Sequence, residues 1–185
     1  MRADKSLREI LQMVALMPMA IPGIVLGLAY IFFFNARDNP LNFIYATMAI
    51  LVINTVVHFY TVSHLSAVTA VKKLDQEFES VSLSLKVPIY KMFFKITLPV
   101  CLPTVFDIFI YLFCNAMTTV SGVIFLYSYD TTLASVSAIH LDEQGDVAGA
   151  AAMAMLIVYI SFVVRGLHTL VSALLLKRTQ AWRNI

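Results

Sequence analysis

The sequence predicts an all-α integral membrane protein with about four transmembrane helices. Two observations carry that reading. Of the 185 residues, 60% are hydrophobic and 13% charged, with a mean hydropathy of +0.83. An ordinary soluble domain has roughly 25% charged residues. Four long stretches carry no formal charge: Ile10–Ala36, Asn39–Val71, Ile108–Tyr129 and Val147–Val164. About 20 apolar residues cross a bilayer as helix. A soluble core could bury one such helix, but 185 residues leave nothing to cover four.

In chain order, the expected spans are Ile10–Phe34, Leu41–His64, Leu102–Tyr127 and Val147–Val164. The first apolar run is too long for the core of a signal peptide, and no small-residue cleavage site follows it. Pro18, Pro22 and Gly23 interrupt it. Proline removes a backbone hydrogen bond, so the reading is a kink, either hinge or fixed bend. The short turn Asn35–Pro40 makes spans one and two an antiparallel hairpin. A polar segment, Leu65–Lys95, separates spans two and three, and a second, Ser128–Asp146, separates spans three and four. Gly149, Ala150, Ala151, Ala152 and Ala154 make the start of span four narrow, which suits close helix packing. Arg165 ends that span, and Gly166–Leu176 is expected to continue as a helix along the interface.

Lysine and arginine set the orientation. Eleven of the thirteen lie in the N-terminal segment, the 66–98 loop and the tail; only Arg37 faces the other side, with Arg165 inside span four. Both termini and the long loop are therefore expected in the cytoplasm, with 128–146 as a periplasmic loop. Net charge is only +2, which gives no nucleic-acid reading. Cys101 and Cys114 are thirteen residues apart on one expected helix, about 20 Å, too far for a disulfide.

No catalytic constellation is legible. The six glycines form no Walker A pattern, the four histidines have no metal-ligand spacing, and no haem or flavin motif is present. No cofactor is expected. Polar groups inside spans mark a pathway or an interhelical hydrogen bond. Asn54 and His58 share a face of span two. Asn115, Thr118 and Thr119 sit on span three, and Asp107 lies near its cytoplasmic start. A secondary transporter or channel would need paired intramembrane charges, and only Asp107 is available.

In the long loop, Val71, Leu74, Phe78, Val81 and Leu85 recur at helical spacing. The expectation is one amphipathic helix broken at Pro88, since the residue before proline avoids helical geometry. It could lie on the headgroups or dock a soluble partner. A second short helix is expected through Tyr90–Lys95.

The segment LDQEFESVSLSLKVPIYKMFFKITLP resembles the cytoplasmic coupling loop of binding-protein-dependent ABC importer permeases, whose pattern is EAA, three residues, Gly, nine residues, I-x-L-P. Ile96, Leu98 and Pro99 match its end, and Leu74, Asp75, Glu77 and Glu79 its lead-in. Ser80, Val81 and Ser82 stand in place of EAA, and Lys86 at the glycine, where a positive φ would strain any other residue. MPMAIPGIVLGLAYIFFFN resembles the preceding span of iron(III) and 2-aminoethylphosphonate permeases. NAMTTVSGVIFLYSYDTTLASVSAIHLDEQGDVAGAAAMAMLIVY and KRTQAW are similar to the aminoethylphosphonate members.

The resemblance implies a transmembrane subunit, not an enzyme, in the bacterial inner membrane. It implies an ATPase subunit, a periplasmic substrate-binding protein and a second permease domain or chain as partners. The expected substrate is 2-aminoethylphosphonate, with iron(III) or polyamine as alternatives. Residues 1–185 are expected to be a partial permease domain, the C-terminal two-thirds, which leaves a non-transporting fragment or assembly subunit as the rival reading. The ATPase-coupling residues are then Leu74, Glu77, Phe78, Glu79, Ser80, Val81, Ser82, Lys86, Ile96, Leu98 and Pro99.

Overall fold

A computed structural model describes residues 5–74, 81–82 and 84–179. Among them the regular structure is helical: α1 (Lys5–Ala20), α2 (Gly23–Phe34), α3 (Met48–His58), α4 (Tyr60–Lys72), α5 (Ile89–Thr118), α6 (Ala134–Glu143) and α7 (Val147–Thr179). Two helices, Ile89–Thr118 and Val147–Ala173, are each long and apolar enough to cross a membrane. The pairs α1/α2 and α3/α4 pass the same test as bent spans, giving up to four.

The first expected span is not one rod. It breaks at Ile21–Pro22 through 103°. Pro18 is tolerated within α1, whereas Pro22 sits just before α2 in extended geometry. Pro22 has no N–H to donate to Pro18 O, so a helical bond that would bridge the break is missing. The second span starts later than expected, at Met48, and runs on to Lys72 with a 57° bend around Phe59. The third is displaced toward its N-terminus: helix begins at Ile89 and ends at Thr118, and 119–128 is a run of turns. Within α5, Phe93–Thr97 is a π-helical turn in which Leu98 N–H reaches Phe93 O. That wider turn lies immediately before Pro99, which has no N–H to donate. Pro99 stands in the first turn of the regular stretch Leu98–Thr118. The fourth span and the expected interfacial segment form a single 33-residue helix, about 50 Å long. Gly166 is tolerated within it, and no proline interrupts it.

The chain divides into two compact units, residues 1–62 with 112–162, and 63–111 with 163–185. The first is organised around buried Phe34, Ile50, Leu51, Val123, Leu126 and Val136. Polar side chains seal its turns. Asn39 and Asn42 donate to the last carbonyls of α2, Phe33 O (2.6 Å) and Phe34 O (2.9 Å), which have no partner inside the helix. Ser128 and Thr131 form a reciprocal cap, and Asp146 accepts from Gly149 N–H at the start of α7. Thr61 Oγ1, buried, donates to Ala15 O at 2.9 Å and ties α4 to α1. Large apolar side chains such as Met13, Phe32, Phe109, Val158 and Phe162 are exposed, the surface expected of a chain solvated by lipid.

Candidate translocation and coupling elements

The break before α2 creates a close three-way approach in the first unit. A Cβ on Gly23 would lie 2.6 Å from Ser121 Oγ and 3.3 Å from His58 Cε1. One on Gly27 would lie 2.8 Å from Gly122 O, and one on Gly122 2.9 Å from Asn54 Nδ2. Gly23 and Gly27 are four residues apart on one face of α2, the spacing at which helices admit another backbone. What they admit is not a helix but the turn 119–128. Asn54, 1% exposed, donates from Nδ2 to Gly122 O at 3.0 Å and fastens that turn to α3. Its Oδ1 and His58 Nδ1 are buried without a partner among the described residues.

The sequence-derived pathway residues therefore separate. Asn54, His58, Asn115, Thr118 and Thr119 belong to the first unit and Asp107 to the second. Thr118 is exposed and donates back to Cys114 O, while Thr119 O accepts from Ser135 Oγ at 2.9 Å. Asp107 is not a lone carboxylate: its Oδ1 lies 3.1 Å from His168 Nε2, with Ser172 Oγ 3.1 Å from the same nitrogen. Sequence reasoning missed Gly23, Gly27, Ser121 and Gly122 as a packing set. The four-residue glycine spacing on α2 was the available signal. It also missed His168, whose partner lies 61 positions away and leaves no local pattern.

The loop 66–98, expected from sequence to couple to an ATPase, differs from one continuous amphipathic helix. α4 ends at Lys72, and the chain turns at Lys73–Leu74. Val71 and Leu74 therefore do not share a helix with Val81 and Leu85, both exposed. Glu77, Phe78, Glu79 and Ser80 lie outside the described residues. Ser82 is buried, and Ile96 and Leu98 are half-buried on α5. Helix does stop before Pro88, as expected. Val87 N–H bonds to Ser82 O at 3.0 Å, and Lys86 between them has φ +52°. This six-to-one closure with a left-handed residue is a Schellman C-cap. Lysine thus adopts the conformation for which the resembled pattern provides glycine.

Comparison with known proteins agrees with this geometry. Residues 1–177 match the family described as binding-protein-dependent transport system inner membrane component. The chain is 29% identical over 163 residues to the ferric transport system permease protein FbpB of Actinobacillus pleuropneumoniae, covering 88% of this chain and 23% of the relative. It is 34% identical over 130 residues to a putative ferric transport system permease protein FbpB 1 of Haemophilus influenzae, 70% of this chain and 20% of that protein. The chain thus spans about a fifth to a quarter of these two curated relatives. The crystal structure of a bacterial ABC transporter that imports the acidic polysaccharide alginate superposes with TM-score 0.73 at 14% identity, over 92% of this chain and 67% of that one. With nearly the whole chain matched and the helical fold shared, this protein belongs to the binding-protein-dependent ABC importer permeases, as an inner-membrane component and not an enzyme.

Proposed function

We propose that the chain forms part of the translocation pathway of an ATP-driven importer for iron(III). The relatives named for ferric transport favour iron over the 2-aminoethylphosphonate expected from sequence. The loop 66–98 receives an ATPase subunit, the acidic segment 128–146 meets a periplasmic binding protein, and a second permease domain or chain completes the pathway. Both termini are cytoplasmic, as the positive-inside bias requires.

The observation that carries this reading is the reversal at Lys86. A loop that merely lay on headgroups would have no need to hold lysine in a left-handed conformation that costs L-residues free energy. Here the turn leads directly into α5, and the same helix ends at Thr118, where the turns 119–128 begin.

The test is reconstitution of the chain with the remaining permease spans, the ATPase subunit and the binding protein. Iron-loaded binding protein is expected to stimulate ATP hydrolysis and iron uptake severalfold. Stimulation by a phosphonate-loaded binding protein instead would transfer the assignment, and stimulation by neither would remove it.

A further inference from the structure

We infer that Asn54 and His58 form a paired acceptor near the middle of the membrane for a two-proton donor, namely water carried on a hydrated or metal-coordinated cargo. Thr118 and Ser121 line the approach. This rests on the importer reading and specifies what its pathway holds.

Depth comes first. From Phe34, at the turn that joins α2 to α3, back to Gly23 is 11 helical steps, about 16 Å, which reaches about half the hydrocarbon thickness for an α2 that runs along the bilayer normal. At that level Gly23 meets Ser121 and Gly122, in a segment that is not helical. Irregular backbone within the bilayer is tolerated only where protein buries it or water reaches it. Gly122 and Val123 are buried by protein, while the hydroxyl-bearing Thr118 and Ser121 beside them are exposed, so the open side of this wall carries polar groups.

Behind that wall lies the chemical signature. The Asn54 amide orientation is set by its Nδ2 bond to Gly122 O, which turns Oδ1 into an acceptor with no donor. One turn further along α3, His58 Nδ1 is likewise unpartnered. With its proton on Nε2, the imidazole offers Nδ1 as a second acceptor. Residues four apart share a helix face, and the pairing we infer is of these two acceptors with one group that carries two protons. An unprotonated oxyanion would place acceptor against acceptor and is disfavoured. Water bound to a cation, or an ammonium, satisfies both.

The experiment uses the complete importer in proteoliposomes, with Cys101 and Cys114 replaced by alanine and Ser121→Cys as reporter. An anionic methanethiosulfonate is expected to modify the reporter. Iron-loaded binding protein with ATP is expected to slow modification about fivefold, the worth of one hydrogen bond. His58→Phe keeps a ring against Phe59 and is expected to abolish the slowing, as is Asn54→Leu. An unreactive reporter would show a dry, packed contact and overturn the inference. So would slowing that persists in both variants, or no slowing in an importer that takes up iron. An importer that takes up no iron would refute the ferric reading alone. The reporter is then read with 2-aminoethylphosphonate, whose ammonium is a donor. Protection lost in His58→Phe would support the pair, and no protection would overturn it.

Discussion

Lys86→Gly is expected to stabilise the coupling turn. Lys86 holds φ +52° at the end of a short helical stretch, closed by the Val87 N–H···O Ser82 bond of 3.0 Å. The left-handed region costs an L-residue about 1–2 kcal/mol. Glycine avoids that cost, but its wider freedom in the unfolded chain takes back about 0.5–1 kcal/mol. The net gain is about 0.5–1 kcal/mol, or roughly two- to fivefold in the equilibrium between closed and open turn. Lys86 is exposed, so no packing is lost with its side chain. The assay is hydrogen exchange at the Val87 amide, whose protection should rise by that factor. Lys86→Val should lower protection, because a β-branched side chain fits a positive φ worse than lysine does. Captured ATPase subunit should be unchanged or increased with glycine. Faster exchange in Lys86→Gly would refute the reasoning: it would mean that the left-handed turn is not what closes the loop.

Gly27→Ala is expected to destabilise by about 1–3 kcal/mol, since its Cβ would meet a backbone oxygen, Gly122 O, at 2.8 Å. Gly166→Ala, with open space around it, should stabilise helix α7 by up to about 1 kcal/mol; thermal melting in detergent compares the two. Phe78→Asp should abolish capture of the ATPase subunit by pull-down while membrane insertion persists, because a carboxylate buried without a partner costs several kcal/mol. Undiminished capture would remove that residue from the interface. Reporter fusions at either terminus should read as cytoplasmic, and a periplasmic signal from either would reverse the topology.

What could be read from sequence was whatever repeats along one helix. Charge-free stretches revealed the spans, and lysine and arginine gave an expected side for each loop. Their ends were less legible. Hydropathy extends span three through Tyr127 because 119–127 is as apolar as what precedes it, yet Gly122 and its neighbours pack as turns against Gly23 and Gly27. Hydropathy does not distinguish apolar turn from apolar helix when both are buried. Asn54 stands out in the sequence as a polar residue within a span, but its partner, Gly122 O, is a backbone atom 68 positions away. No side-chain pattern could name it. The stripe in the coupling loop failed for a different reason. Periodicity continued across Lys73–Leu74 although the helix did not.

The 33 residues of α7 give the protein a lever as well as a span. Val147 to Arg165 already uses 18 helical steps, about 27 Å, nearly the hydrocarbon thickness. The remainder, through Thr179, extends the same helix by about 20 Å. A tilt of about ten degrees pivoting at Val147 would swing the far end of such a helix sideways by about 9 Å, but His168 by only about 5 Å. Asp107 therefore grips α7 partway along its length, where displacement is smaller than at the tip. Any such tilt would move the far end of the helix more than His168, in a ratio fixed by helix length alone.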